Sequence, residues 1–349
     1  MRLGLNLGYW GMGNDADNLA LALEADKLGY GVVWAAEAYG SDTATVLSWI
    51  AAQTTTIDVG SAVFQIPART PAMTAMTAAT LDSLSGGRLR LGLGVSGPQV
   101  SEGWHGVPFA KPLKRTREYH DIVRMALRRE RVRYDGEFFQ LPLPDGPGKA
   151  LTLTVHPVRE VIPMYLAAIG PKNLELAGEL FDGWLALFYS PEFASELRAS
   201  ISAGRERAGK SLAGFDICPT VPVVIGDDLE QCAMPVRAYA SLYIGGMGSR
   251  DKNFYNRLVS RMGYEEAAKE VQDKYLSRDY MGAGAAVPFD FIDKTSLIGP
   301  RDRIRDRLQA YADSGVGTLT LAVYAGTLQE RIDTVRAMAE ILDESGLAG

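Results

Sequence analysis

Residues 59–98 have the sequence VGSAVFQIPARTPAMTAMTAATLDSLSGGRLRLGLGVSGP, in which a strand, a helix and a second strand follow one another. The apolar run 57–66 predicts the first strand. Residues 71–84 predict the helix, which ends sharply at Ser85-Gly86-Gly87. Residues 88–97 predict the second strand. Both strands are continuous apolar runs rather than alternating ones, which is typical of a parallel sheet covered on both faces.

The same succession of short apolar runs and longer amphipathic segments continues through most of the chain. Eight strands with this repeat, nearly all followed by a helix, favour a closed (β/α)8 TIM barrel over a doubly wound open sheet. Such barrels hold about 250 to 400 residues in one domain, so residues 1–349 are expected to form a single domain. The predicted strands are residues 3–9, 31–37, 57–66, 88–97, 163–170, 183–188, 215–226 and 315–326.

Two segments do not follow this repeat. Residues 132–141, VRYDGEFFQL, predict a hairpin around Asp135-Gly136 that lies outside the barrel. Residues near 240–298 are polar, aromatic and rich in glycine. They predict a helical insertion between the seventh strand and its closing helix, at about 300–314. An insertion there lies over the top of the barrel, where it is expected to act as a lid or a dimer contact.

Composition excludes several classes of protein. The net charge of −6 argues against non-specific nucleic-acid binding, which needs a clustered basic surface. The longest apolar runs are too short to span a membrane, and the N-terminal residues indicate a first strand rather than a signal peptide. Two cysteines and three scattered histidines are too few for a disulfide framework or a metal cluster, so no metal site is expected. A cytoplasmic location is the expectation.

In a barrel of this type, catalytic groups come from the C-terminal ends of the strands and the loops that follow them. The chain has no HExxH, GxxxxGK[ST] or GxSxG motif, so a zinc protease, a P-loop enzyme or a serine hydrolase is not expected. The strand ends offer glycines, small hydroxyls and backbone amides with few charges, which suits a large planar cofactor with a phosphate tail. Gly170-Pro171 begins a helix, and its free N–H groups beside Lys172 suit a phosphate, although an ordinary strand-to-helix turn explains them equally well.

Several of these segments together resemble the luciferase-like oxidoreductases, in particular the branch that uses the deazaflavin coenzyme F420. The resemblance covers most of the chain and is weakest at the insertion. The combination of TLDSLSGGRLRLGLG with a later AAIGPKNLELAGE is its most specific part. It is carried by LGLNLGYW (3–10), VVWAAEAYGSD (32–42), the stretch 59–98, LRRERVRYDGEFF (127–139) and YLAAIGPKNLELAGELFDGW (165–184).

The resemblance implies a site for the cofactor at the strand ends. It implies a non-prolyl cis peptide at Ala62–Val63 behind the central ring, strand-four residues along the ring or its side chain, and a phosphate held where the fifth helix begins. Gly97 stands where relatives that oxidise a sugar phosphate carry a glutamate, so that substrate is not expected. The implied cofactor contacts are Ala62, Val63, Gln65, Gly94, Val95, Ser96, Gly97, Ala168, Ile169, Gly170, Pro171 and Lys172.

Two residues are candidates for catalysis. Glu37 falls where many deazaflavin relatives carry an acidic residue, and it either acts as a general acid or base or forms a structural ion pair. Ala38 follows it in place of a histidine, so a carboxylate–imidazole pair is not assumed. His105 lies in a glycine-rich loop after strand four and is either a proton donor or a surface histidine. Arg69 is a candidate for the anionic tail of the cofactor.

We therefore expect an oxidoreductase that moves a hydride between C5 of coenzyme F420 and a small organic substrate. The alternative is a monooxygenase that uses reduced flavin mononucleotide (FMN) and oxygen, and the scarcity of histidine and cysteine favours the deazaflavin. A cofactor carrier without turnover is the non-enzymatic alternative. A homodimer is expected. Within the insertion, four tyrosines are expected either to form an aromatic wall or to pack on the barrel: Tyr243, Tyr255, Tyr275 and Tyr280.

Overall fold

The computed structural model describes residues 1–11 and 13–349. Its eight parallel barrel strands pair in chain order, and the last pairs with the first through Arg2↔Thr318, which closes the sheet. The (β/α)8 barrel is therefore confirmed, and the open sheet is not the fold. The strands are β1 (Arg2–Gly8), β2 (Val32–Ala35), β3 (Asp58–Ser61), β4 (Leu89–Gly94), β5 (Met164–Ala167), β6 (Gly183–Leu187), β7 (Asp216–Ile225) and β8 (Thr318–Val323).

The helices surround the barrel, and local signals set their ends. The helix predicted over residues 71–84 is found with those bounds, because Pro71 occupies its first turn and the Thr70 side chain accepts from the N–H of Met73 at 3.1 Å. Gly86 and Gly87 follow it with positive φ. The helices are α1 (Asp15–Lys27), α2 (Thr43–Ala51), α3 (Pro71–Leu84), α4 (Pro98–Gly103), α5 (Pro112–Leu127), α6 (Pro171–Leu180), α7 (Ala194–Arg207), α8 (Leu229–Ser241), α9 (Phe254–Val259), α10 (Glu265–Leu276), α11 (Tyr280–Ala285), α12 (Phe289–Thr295), α13 (Arg301–Asp313) and α14 (Leu328–Ser345).

The hairpin predicted within 132–141 is present as the antiparallel pair Tyr134–Asp135 and Gln140–Leu141. The insertion predicted near 240–298 is helical, and its C-terminal end agrees with the prediction, but its start does not. It begins earlier, at α8, because the Asp228 carboxylate accepts from the first N–H groups of that helix and caps it. It ends in the short strand Leu297–Gly299, which pairs with β7 and extends the sheet.

The N-terminal end of the barrel interior is occupied by a buried polar network. Arg90 donates from Nε to Asp58 at 2.7 Å, and its Nη1 lies 3.5 Å from an Asp216 oxygen that also accepts from the Tyr165 hydroxyl at 3.0 Å. Above this network, Trp34 fills the centre, and a Cβ at Gly60 would lie 2.3 Å from its ring. Because side chains fill this end, the accessible part of the interior lies at the C-terminal ends of the strands.

One partly buried carboxylate fixes the entry to β3. Asp26, near the end of α1, accepts from three successive backbone N–H groups, those of Thr55, Thr56 and Ile57, at 2.7–2.9 Å. Burial raises its pKa, but these hydrogen bonds outweigh burial and hold the pKa of Asp26 well below its usual range.

Among the described residues, no helix is long and apolar enough to cross a membrane, and no three metal-ligating side chains form a cluster.

Candidate active site

The mouth of the barrel has an uncharged floor. A small apolar cluster inside the barrel contains Trp34, Tyr165 and Cys218, and the partly buried Ala62 and Leu185 pack against it. These two residues stay partly exposed, whereas the cluster beneath them is almost fully buried. The floor at this point is therefore apolar and carries no charge.

The Ala62–Val63 peptide bond is cis, as the resemblance implied. Two glycines of β4 provide the space for this backbone step. A Cβ at Gly92 would lie 1.9 Å from the Ser61 carbonyl oxygen, and a Cβ at Gly94 would lie 2.5 Å from a Val63 methyl. No larger residue fits at either position without moving the backbone or Val63, which explains the alternating glycines of this strand.

Gln65 joins the loops at the ends of three strands. Its side chain is 2% exposed. It donates from Nε2 to the carbonyl of Ala38 at 2.7 Å, and its Oε1 accepts from the Ser96 hydroxyl at 3.0 Å. Both ends of the amide are thus used within the protein. Ser96 itself has a positive φ of 60°.

Glu37 is held in a buried ion pair. Its side chain is 6% exposed and forms a salt bridge with the guanidinium of Arg69, which also pairs with Asp42. The second oxygen of Glu37 accepts from the N–H of Thr43 at 3.2 Å, and the first also accepts from the N–H of Gln65 at 3.2 Å. These contacts agree with the structural ion pair, which was one of the two roles that the sequence allowed for Glu37. Arg69, the candidate for the anionic tail of the cofactor, is engaged in the same ion pair at the strand end.

His105 does not share these contacts. It follows α4, and its backbone N–H donates to the carbonyl of Val100 at 3.1 Å. Its Nε2 atom is buried and has no hydrogen-bond partner among the described residues. The neighbouring Trp104 is 67% exposed. No hydrogen bond within residues 1–11 and 13–349 joins His105 to Glu37, so the two catalytic candidates do not form a pair.

The N-terminus of α6 is free of any side-chain cap. Gly170 is its N-cap residue, and a Cβ there would meet nothing within 4 Å. The Lys172 side chain is 76% exposed and binds the Glu175 carboxylate at 2.8 Å. On the strand side, the carbonyl of Ala168 accepts from Trp184 Nε1 at 2.8 Å. The helix end therefore opens onto space, while the lysine beside it already has an acidic partner.

Sequence reasoning missed Arg115, in the first turns of α5. It lines a narrow cleft with Val95, Ser101 and Phe109 beside the ends of β3 and β4. Its Nε atom is buried without a partner in the described part of the chain, and its guanidinium lies over the Phe138 ring at 4.6 Å. Burial lowers the pKa of Arg115. No motif marks this residue, because only the folded loop places it beside the mouth.

An aromatic group forms the opposite side of the mouth. We call Tyr239, Tyr243, Tyr255 and Tyr324 the tyrosine wall. Neighbouring centroids are 4.8 Å apart for Tyr239 and Tyr243, 4.9 Å for Tyr243 and Tyr255, and 5.9 Å for Tyr239 and Tyr324. The structure thus brings the predicted Tyr243 and Tyr255 together. Tyr275 and Tyr280 form a separate pair at 4.8 Å.

A family model described as luciferase-like monooxygenase matches residues 10–318. The chain belongs to this family. A putative coenzyme F420-dependent oxidoreductase from Mycobacterium tuberculosis is 42% identical over 337 residues, 95% of this chain and 96% of the relative. The coenzyme F420-dependent tetrahydromethanopterin reductase from Methanopyrus kandleri has a TM-score of 0.82 at 22% identity, covering 97% of each chain. The FMN-bound oxygenating constituent of 3,6-diketocamphane monooxygenase from Pseudomonas putida has a TM-score of 0.69 at 18% identity, covering 99% of this chain and 98% of that one.

The family read from the sequence motifs is therefore confirmed, and this luciferase-like chain is an enzyme, an oxidoreductase. The solved structures show the shared fold, which extends over nearly all of both chains. The roles of the individual site residues depend on the geometry of the mouth.

Proposed function

We propose that this luciferase-like enzyme transfers a hydride between coenzyme F420 and a small organic substrate. The observation that carries the proposal is the uncharged floor of the mouth at Ala62–Val63, where glycines of β4 lie against the cis step. A flat, largely apolar ring fits such a floor better than a charged substrate does. The relative named as an F420-dependent oxidoreductase, 42% identical over nearly the whole chain, supports the choice of cofactor.

The residues around the floor supply contacts for the rest of the cofactor. Ala62 and Val63 would hold the ring, with Gly94 to Gly97 beside it. The uncapped N–H groups of α6 would bind the phosphate, with Ala168 to Lys172 around it. The buried Nε atom of Arg115 has no hydrogen-bond partner among the residues that the structure describes, and we assign this guanidinium to the anionic tail. The open space at Gly170 leaves room for that group.

Bound coenzyme F420 supplies a two-electron hydride donor or acceptor at its C5 atom. The protein positions the ring and shields the reacting face. Glu37 and Arg69 fix the loops after β2 and β3, so we assign Glu37 a positioning role. His105 stays a predicted proton donor, and its buried Nε2 without a partner is consistent with contact to a ligand.

The alternative is an FMN-dependent monooxygenase, and the description of the matched family and the FMN-bound structural relative favour it. Titration of the purified protein with each cofactor, followed by absorbance and fluorescence, separates the two functions. We expect saturable binding of coenzyme F420 and at least ~10-fold weaker binding of FMN. Micromolar binding of FMN without binding of F420 would contradict the proposal.

We also propose a homodimer. The neighbouring helices α2 and α3 expose four large apolar side chains, Trp49 at 57%, Met73 at 50%, Met76 at 50% and Leu84 at 70%, and exposed apolar groups of this kind mark contacts between proteins when they form one patch. Light scattering coupled to size exclusion measures the mass in solution. A monomer at micromolar concentration would show that this surface has another use.

A further inference from the structure

The tyrosine wall packs against the protein core without being buried in it. Its four residues are only partly buried, whereas Phe188 behind them is 4% exposed. Phe188 contacts Tyr239, Tyr243 and Tyr255 with centroids 5.8, 6.0 and 6.2 Å apart. The aromatic rings are thus supported from behind and open in front.

The tyrosine wall combines residues of the insertion with a residue of the barrel. Tyr239 and Tyr243 come from α8 and the turn after it, Tyr255 comes from α9, and Tyr324 follows β8 at the C-terminal end of the barrel. Tyr9, at the end of β1, is close enough to Tyr243 and Tyr255 to raise their pKa values. The wall therefore faces the mouth from the side of β8 and β1, across from the cis step that follows β3.

Two hydroxyls of the wall form no hydrogen bond with any group in the described part of the chain. The first belongs to Tyr324, and its pKa is raised by burial alone. Tyr255 is similar: burial, with a smaller effect of Tyr9, raises its pKa to about 12. Both hydroxyls therefore stay protonated near neutral pH and are free to donate a hydrogen bond. An unpartnered hydroxyl in a poorly hydrated place is a site that a ligand oxygen satisfies well.

The neighbours of these hydroxyls are aromatic. In the described part of the chain no Asp, Glu, Lys or Arg side chain forms a hydrogen bond with them, and the rings beside Tyr324 and Tyr255 are those of Tyr239, Tyr243 and Phe188. An ionised substrate placed against the wall would lose its hydration without gaining a counter-ion, which is costly. A neutral molecule loses much less and gains apolar contact with the aromatic rings.

We infer that the tyrosine wall is the substrate subsite, and that it takes an uncharged, mainly apolar organic molecule whose carbonyl or hydroxyl oxygen accepts a hydrogen bond from Tyr324. This inference rests on the proposed function, because it assumes that the cofactor occupies the opposite side of the mouth. It limits the substrate class to neutral ketones, aldehydes and alcohols, and excludes carboxylates, phosphate esters and amines.

The test compares probes of one shape and different charge. Cyclohexanone, cyclohexanol and 2-tetralone are neutral, whereas cyclohexanecarboxylate and cyclohexylammonium are charged. Saturation-transfer NMR gives their dissociation constants on the F420-loaded and on the cofactor-free protein. We expect at least one neutral probe to bind ~10-fold or more tightly than either charged probe. Equal affinity of a charged probe, or no binding of any neutral probe, would overturn the inference.

A matched pair of variants locates the binding. Tyr324→Phe keeps the ring and should weaken the neutral probe about fivefold, the effect of one lost hydrogen bond. Tyr280→Phe, at an exposed ring that pairs with Tyr275 outside the wall, should leave the affinity unchanged. Circular dichroism verifies the fold of both variants. Unchanged probe affinity in Tyr324→Phe overturns the inference, while failure of the wild-type protein to bind F420 contradicts the proposed function instead.

Discussion

Replacement of Glu37 by glutamine separates a positioning role from a catalytic one. The carboxylate of Glu37 is nearly buried, and it pairs with an Arg69 side chain that is 14% exposed. Glutamine retains one acceptor oxygen but no charge, so the guanidinium of Arg69 loses its buried partner and keeps only the half-exposed Asp42. Breaking a buried ion pair by removing one partner costs about 3 kcal/mol or more.

That free energy corresponds to a measurable change in melting temperature. Unfolding entropy is about 2.1 cal/mol/K per residue, so for 349 residues a loss of about 3 kcal/mol lowers the Tm by about 4 °C. We expect this change in Glu37→Gln and a similar one in Arg69→Met, with the double variant less destabilised than the sum of the two. Thermal and urea unfolding measure both quantities. The control is Glu196→Gln in an exposed pair with Arg261, which should cost less than about 1 kcal/mol.

Kinetics then decide between the two roles. If Glu37 positions the loops, both variants lose the same modest part of kcat/KM, about tenfold or less, and the shape of the pH profile is unchanged. A general acid or base contributes about 10² to 10⁴ in rate. A loss of that size in Glu37→Gln, with wild-type stability, a missing limb in the pH profile and a normal Arg69→Met, would refute the positioning role.

Three further predictions follow from the same structure. Gly92→Ala should cost more than about 3 kcal/mol in urea unfolding, because its Cβ would overlap a backbone oxygen, whereas Gly284→Ala, with open space around it, should be nearly neutral. Asp26→Asn should lose about 2 kcal/mol at pH 7. The pKa of Asp26 is lower in the folded protein than in the unfolded chain. Its contribution to the free energy of unfolding is therefore complete above the unfolded pKa, near 4, and disappears as the pH falls through the folded pKa. A difference in stability between Asp26→Asn and wild type that persists at lower pH contradicts this. Arg115→Met should weaken F420 binding more than Lys172→Met does, because Lys172 is exposed and already paired; fluorescence titration compares them, and equal effects would show that Arg115 does not contact the cofactor.

The parts of the fold that depend on local signals could be predicted from the sequence. Thr70, Pro71 and the glycines at 86 and 87 act within one helix, and they give its bounds correctly. The closed barrel followed from the number and apolar character of the strands. The cis bond was implied by the resemblance alone, because no composition or periodicity marks it.

Contacts between distant residues could not be predicted in this way. Glu37 and Arg69 are 32 residues apart in the chain, and nothing local shows that the two form a pair. Arg115 is one arginine among several in α5. Only the folded structure shows that its Nε atom has no hydrogen-bond partner among the described residues. The start of the insertion was missed for a related reason: α8 is capped by Asp228 but contains Pro235, so its pattern does not indicate a helix clearly.

The difference between features that depend on local signals and features that depend on distant contacts has a functional meaning. The floor of the mouth is made by strand residues whose neighbours are fixed by the barrel, so a family resemblance places them well. The tyrosine wall belongs mainly to the insertion, whose helices pack on the barrel through the shared hydrophobic core and through contacts of Tyr239 with Phe188 and Tyr324. With the cofactor on the floor and the substrate on the wall, as we propose, a change in the insertion alters the substrate and leaves the cofactor site intact.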